Sequence, residues 1–581
     1  MSPAAVFTAR ADKMNGGLEM NTDRFDDFTK ISSGRALRFE RGAGIMTGPG
    51  YRRTATPVAD VGYDGSLEAN KVRATGWVKL GTKIQYTHDA VNFYDTGVTV
   101  TVNKLSGFCE QSNGDVHYSN QTDTPLRFAV AKAAVIIADT DVTISVGTAY
   151  IGKFSSVNPS TVYIRGDAIT YTGVDTGAGT LTGVTGIVSG GHPVDSLVVQ
   201  SSNPSTWVEE KGTILLPFQS RMLVMNVLNR EEIVYYSAIE DLANPAFFYD
   251  FDGNGSYSTV LPGRVTGAIA GVGGGYIILD KGVHKILGFD DASGALLTEE
   301  ISADEGAYNQ KCVINMGGIA GFMGRKRFFP ITLTLDPQAE AAPYLGEKFD
   351  HAIRPWLESH DDPSDQASAY LKWDSTQKIC KAGAVVDGAL ETYVIDMQNP
   401  GFLPRENRSV GTSLMLNGKS YFGHRDNGKF YEDDFGRTND GIPITHLLST
   451  TRIQNDKGRS YLKGQYFSYE GWMTIGTLHT LRIYVEGSET AIFEEEFSWE
   501  ELITSKTGRP CGLRGTGLST LGGSVGGTVT VYPYENTVII RDINGDDLRF
   551  EWEVNGEGHF MQWNTWYSSA HVPRRQPRTK N

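Results

Sequence analysis

Cysteine is scarce in this chain: four in 581 residues, at positions 109, 312, 380 and 511. No two stand at C-x-x-C spacing, so neither a zinc-ribbon ligand set nor a thioredoxin-like redox pair is encoded. Thiols this far apart point to reduced, separately buried side chains, as in a protein folded in a cytoplasm. Long apolar runs are missing too. No stretch approaches the roughly 18 apolar residues of a membrane-spanning helix, and the opening MSPAAVFTARADKMNGG has no apolar core of signal-peptide length. The expectation is neither a membrane-spanning chain nor a secreted precursor. Positive charge is in deficit, with 53 Lys and Arg against 68 Asp and Glu and a formal net charge of -15. That balance disfavours a duplex-binding surface, whose affinity comes mostly from Lys and Arg on phosphates. It suits either a soluble acidic surface or a lumen that repels phosphates and lets DNA pass without sticking.

Glycine is abundant at 67 residues, aromatics make up 10% and hydrophobic residues 40%. Glycine supplies the positive φ angles of tight hairpins, so this is the composition of an ordered all-β protein with many turns. The stretch from Pro217 to Phe289 shows the pattern best. Four short apolar runs, Met222 to Val227, Ile233 to Tyr236, Val265 to Ala270 and Tyr276 to Leu279, are separated by polar or glycine-rich connectors. Each is too short for a stable helix, so the unit is a small up-and-down sheet that must pack on others to bury its faces.

Along the chain, residues 1–60 read as an irregular arm with a strand near Ala36 to Glu40, and 61–140 as an opening sheet or first propeller blade. Expected strands in the latter are Ala74 to Leu80, Val98 to Lys104, Val116 to Ser119 and Ala133 to Ile137, with Asn113-Gly114 as a two-residue hairpin turn. Residues 141–200 have no helical periodicity and read as an inserted small β-barrel-like module. Residues 201–440 carry strand pairs at roughly blade spacing, without a Trp-Asp or kelch signature. One helix is expected there, with Leu345, Phe349, Ile353, Trp356 and Leu357 on one face and Pro355 ending it. Residues 441–572 have longer alternating strands, as in a sandwich or platform with one wet face, and 573–581 form a basic tail. The fold class expected is all-β: a β-propeller, a β-sandwich or platform domain and the inserted module.

The series RMLVMNVLNREEIVYYSAIEDLANPAFFYDF, followed by RVTGAIAGVGGGYIILDKGVHKILGF, resembles the tail nozzle (tail tubular, DNA stabilisation) proteins of short-tailed bacteriophages. A Gly-Gly-Leu opening and the positions Ile444, Leu447, Thr450, Gly458 and Lys463, at the family's exit from propeller to platform, fit the same resemblance. It implies a structural virion protein of the phage tail. Subunits would form a homo-oligomeric ring of six below the portal and its adaptor ring, in contact with tail fibres or tail-tip proteins. The ring would retain genomic DNA and conduct it during ejection, with no enzyme activity and no cofactor. Inside the insertion, VYIRGDAITYTGVD and GGHPVDSLV resemble a small β module of phage tail and fibre proteins. Asp167 and His192 fall on its acidic and histidine positions, and Gly186-Ile187 replaces its Arg-Gly.

Several motifs invite chemistry, and each has a plainer reading. Asp250 to Gly255 matches the first half of a calcium loop, but Leu261 stands where the bidentate Glu belongs. Gly522 to Gly526 fits G-x-S-x-G, yet a strand follows where the nucleophile elbow needs a helix. Gly271 to Gly275 fails as a dinucleotide loop because Tyr276 replaces the third glycine. His351, His360, Asp361 and Asp362 lack metal-ligand spacing. No catalytic, cofactor or metal residue is therefore assigned. The basic tail from Arg574 is a disordered terminus, or an arm for an acidic partner or DNA phosphate. Two other classes fit the pattern: a propeller adhesin that binds or cleaves glycan, with two carboxylates and an aromatic groove at its mouth, and a fibre-hub or baseplate component of a long-tailed phage.

Overall fold

The structure, a computed structural model, describes residues 6–573 apart from 12–30, 241–249, 332–366, 505–531 and shorter connecting stretches. The helix expected around Leu345 to Leu357, the 351–362 His and Asp group, Cys511, the Gly522 to Gly526 loop and the tail from Arg574 lie outside the described residues, as does most of the Asp250 to Gly255 motif.

The described residues are almost entirely β, in small antiparallel sheets that follow one another along the chain. Tyr63–Ala69, Thr75–Leu80, Lys83–Thr87 and Phe93–Thr99 make blade one. Ser106–Glu110, Val116–Asn120, Leu126–Lys132 and Leu197–Ser202 make blade two, Gly212–Phe218 to Tyr257–Val260 blade three, and Val265–Gly271 to Leu296–Ser302 blade four. Blade five has three described strands from Val313–Met316 to Phe328–Ile331, blade six starts at Tyr370–Asp374 and blade seven at Val410–Leu416. The first strand of each blade neighbours the first strand of the next, and that of blade seven returns to that of blade one. Inner strands joined in a closed circle define a β-propeller, here of seven blades among the described residues.

The wheel is therefore larger than the 201–440 stretch to which the sequence points. Residues 63–202 contribute two blades, and the N-terminal arm supplies a third element. Tyr51–Ala55 pairs antiparallel with Phe430–Asp433 as the outer strand of blade seven, so the start of the chain closes the circle against its far side. Apolar residues face between blades, because neighbouring sheets hide each other's faces. One cluster joins Trp77, Tyr86, Tyr118, Phe128 and Val199 across blades one and two, and another joins Tyr63, Val78, Leu414, Tyr421 and Phe430 across blades one and seven.

The insertion interrupts blade two between its third and fourth strands. Leu197–Ser202 pairs with Leu126–Lys132 on one side and with Ser160–Ile164 on the other. The last residues of the expected 141–200 module thus belong to the blade. Its neck is narrow: Ala133 donates to the Ser196 carbonyl and Asp195 donates to the Ala133 carbonyl. Two expected strands are displaced here. Residues 133–137 leave the sheet at the neck, and the strand placed at Val98 to Lys104 ends instead at Thr99.

Blade six runs on into the C-terminal region. Arg405–Glu406 meets Ile31–Arg35, which continues through His446–Thr450, Asp547–Gly556 and Thr477–Val485 to Phe493–Ser498. Leu448, Leu481, Ile483, Leu548, Phe550, Trp552 and Val554 are buried on this sheet. A second sheet pairs Ser460–Met473 with Phe560–Pro573 along nearly their whole length, and Val6–Ala11 adds to its edge.

Candidate functional site: the mouth of the axial channel

Loops entering the inner strands, together with the loops joining second and third strands of blades two and three, converge on one face of the wheel. They and the entering ends of the inner strands enclose a cavity of about 560 Å³ on the propeller axis, to which all seven blades contribute. A propeller channel is where side chains from many blades meet, which makes it the first place to look for a site.

Several polar side chains at this mouth are spent on joining blades. The Gln310 amide brackets blade four, accepting from the Ala268 amide at 2.8 Å and donating to the Ala268 carbonyl at 3.1 Å. Asn309 donates to the Ala369 carbonyl of the approach to blade six at 3.3 Å. Ser66 donates to the Ser413 carbonyl at 2.8 Å, linking blades one and seven, and Gln121 donates to the Asn226 carbonyl at 2.9 Å, linking two and three. Unpaired inner strands have open backbone groups, and these side chains satisfy them in place of a continuous sheet.

Four charged residues border the cavity: Asp64, Glu231, Arg264 and Lys311. The Asp64 carboxylate receives the fully buried Lys79 ammonium at 2.7 Å. Glu231 accepts the Asn229 amide. Lys311 follows Asn309, whose side chain accepts the Lys311 backbone amide and starts a single 3-10 turn, Gln310–Cys312. This turn aims Lys311 toward the axis. Among the described residues its ammonium has no hydrogen-bond or ion-pair partner. The surrounding protein lowers its pKa from the ordinary lysine value; Asp64 opposes that shift, and Arg425 and Lys79 reinforce it.

A second ionic group lies at the seam of blades six and seven and is sealed from solvent. Asp433 receives Lys372 at 2.5 Å, Lys381 at 2.9 Å and Arg408 at 3.0 Å. Lys381 also reaches Asp434 at 2.7 Å and Glu406 at 3.3 Å. Three cations meet three carboxylates, so the cluster is neutral. The cations hold the Asp433 carboxyl well below the usual range despite its burial. Arg408 further donates to the Pro49 carbonyl at 3.0 Å and lies over the Tyr51 ring, which fixes the N-terminal strand in place. Balanced and enclosed, this group is a clasp, with no room for a substrate.

The insertion brings Asp167 and His192 together, with His192 Nε2 at 3.7 Å from the carboxylate. Burial lowers the histidine pKa, so the neutral ring is favoured. The separation is too long for a hydrogen bond. Leu261, at the calcium loop's twelfth position, is buried in the core. Gly271 pairs with Gly274 across a hairpin, which accounts for that glycine run. Among the described residues no group of three His, Cys, Asp or Glu side chains could hold a metal ion. Cys109, Cys312 and Cys380 are free and buried; burial pushes all three thiols up, Cys380 to about 12. The channel mouth was not legible in advance, because its residues come from connectors up to hundreds of positions apart.

No protein-family model matches the chain, and no curated protein matches it. Solved propeller structures are similar in outline only. Virginiamycin B lyase from Staphylococcus aureus shares 10% identity over 67% of this chain and 97% of its own, with a TM-score of 0.25. The Dos1 propeller shares 10% over 67% and 96%, with a TM-score of 0.29. The Bombyx mori GH32 beta-fructofuranosidase BmSUC1 shares 9% over 91% and 94%, with a TM-score of 0.20. Two of these are enzymes by name, but likeness at this level transfers no activity to the present chain.

Proposed function

We propose that this chain is a structural subunit of a phage tail, a nozzle protein that assembles into a six-membered ring under the portal and adaptor and conducts DNA. The observation that supports this reading most is the way propeller and C-terminal sheets are joined. Blade six passes into the second body as one hydrogen-bonded sheet with Ile31–Arg35 between them, so the two parts are linked by backbone pairing as well as by connecting chain. Such a joint transmits load and fixes orientation, which a ring of repeated heterologous contacts requires. The resemblance of the 217–289 stretch and the acidic balance, which suits a lumen that repels phosphate, point the same way.

A glycan-binding or glycan-cleaving propeller would place stacking aromatics and two available carboxylates at its mouth. Here Tyr308 and Tyr370 border the cavity but are buried, the Tyr370 hydroxyl meets Thr392, and Asp64 is held by Lys79. Electron microscopy of the purified chain, alone and with an adaptor ring, tests the proposal. A six-fold annulus is the expected image. Monomers that bind or cut a polysaccharide, with no annulus under either condition, overturn it.

A further inference from the structure

Lys311, half-buried at the cavity, differs from the fully buried lysines of this fold. Lys79, Lys153, Lys372 and Lys381 each have a carboxylate within 3 Å, as an ammonium removed from bulk water requires. Lys311 is half-buried, borders the axial cavity, and has no carboxylate within ion-pair distance among the described residues. Asp64, the carboxylate that acts on it most, is already paired with Lys79. Arg264 borders the same cavity, is exposed, and forms no side-chain ion pair among the described residues. On a molecule of net charge -15, two uncommitted cations share one cavity of about 560 Å³.

We propose that the channel mouth is a binding site for a small oxyanion, a phosphate or carboxylate group on a small molecule, with the Lys311 ammonium as its counter-ion and Arg264 at the rim. Size and chemistry agree with this. The cavity has the volume of a small-molecule pocket, and many of its other polar side chains are already bonded to protein, across blade seams or within a blade. The anion therefore meets rigid walls, and binding costs little reorganisation. A half-buried ammonium without a protein partner is open to a ligand, and an oxyanion supplies charge-assisted hydrogen bonds to it. The site is independent of the ring reading, since the propeller axis of one subunit is a different passage from the lumen between subunits.

Titration calorimetry of the full chain with inorganic phosphate and with citrate tests the proposal, beside Lys311→Met, Arg264→Met and the exposed control Lys378→Met. One saturable site is expected for at least one probe. Lys311→Met weakens it at least tenfold, Arg264→Met weakens it several-fold, and Lys378→Met leaves it unchanged. Lys311→Met also melts no lower than the parent chain, so loss of binding is not loss of fold. Inorganic sulfate, whose charge is constant across the lysine range, gives the pH profile. Its binding falls as pH rises through a midpoint below the ordinary lysine value of about 10.4. That midpoint belongs to Lys311 in the field of Asp64 from blade one's inner strand, Lys79 from its second strand, Arg425 after blade seven's second strand, and the adjoining Cys312. No saturable site for either probe, or binding that survives Lys311→Met unchanged, overturns the proposal.

Discussion

Asp433 is the residue on which closure of the wheel turns. Replacing one member of a fully buried, balanced ionic group strands its partners, and such losses cost about 3–5 kcal/mol. Asp433→Asn keeps the shape but leaves three cations facing two carboxylates, so denaturant unfolding should show a loss of that order. The sign of the pH dependence follows from the lowered carboxyl pKa. A depressed folded-state pKa gives stability that is complete above the unfolded value of about 3.9 and is lost as pH falls below it. Acid titration of the parent chain should therefore release the N-terminal strand early, and Asp433→Asn should have a flatter acid limb. An identical acid limb in the variant would contradict the assignment. At Lys311 the slope has the same sign, since a lowered lysine pKa again means that the unfolded chain holds the proton more tightly, but here the shift costs stability at neutral pH. Stability rises with pH between the folded and unfolded values, and Lys311→Met should raise the melting temperature at neutral pH.

Individual strands were the most legible feature of the sequence, since alternation and turn residues act locally. Ile233–Tyr236 falls where its apolar run and polar flanks place it, while the two-residue turn expected at Asn113-Gly114 is a three-residue loop closed between Gln111 and Asp115, with Gly114 at a φ of 88°. The partner of a strand was less legible. Nothing local tells Tyr51–Ala55 that its neighbour is Phe430–Asp433, because that choice is made by Arg408, Tyr431 and Phe422 across the whole chain. Removing residues 1–56 should therefore leave blade seven without its outer strand and lower the melting point sharply, as circular dichroism would show. The insertion gives a contrasting case. Because Ala133 and Ser196 meet at its neck, excising 134–195 and bridging with a two-residue turn should leave a folded wheel. Excising 141–200 also removes four residues of the blade-two strand Leu197–Ser202 and should give aggregates in size-exclusion chromatography. The module is held to the wheel by backbone pairing of Ser160–Ile164 with Leu197–Ser202, by Lys153 on Asp115 at 2.8 Å and by Tyr163 lying on Gly97. Gly97 has a φ of 74° and no space for a Cβ, so Gly97→Val should loosen the module and speed its proteolysis without unfolding the blades.

At the scale of the molecule, the sequence pointed to stacked small sheets and a platform, while the number of blades and the site on the axis emerged only from closure. Circular closure is a long-range property: it appears when blade seven meets blade one, through Ser66, Thr412 and Tyr63, and no window of sequence contains both sides. The closed wheel's sixth sheet extends into the second body through the pairing of Arg35 with Arg405. The account holds that such units join side by side around a conduit. Sedimentation of the purified chain, alone and with the adaptor ring, measures that claim most directly. The account predicts a species of six times the 63.5 kDa chain mass. A persistent 63.5 kDa monomer in both conditions would contradict it.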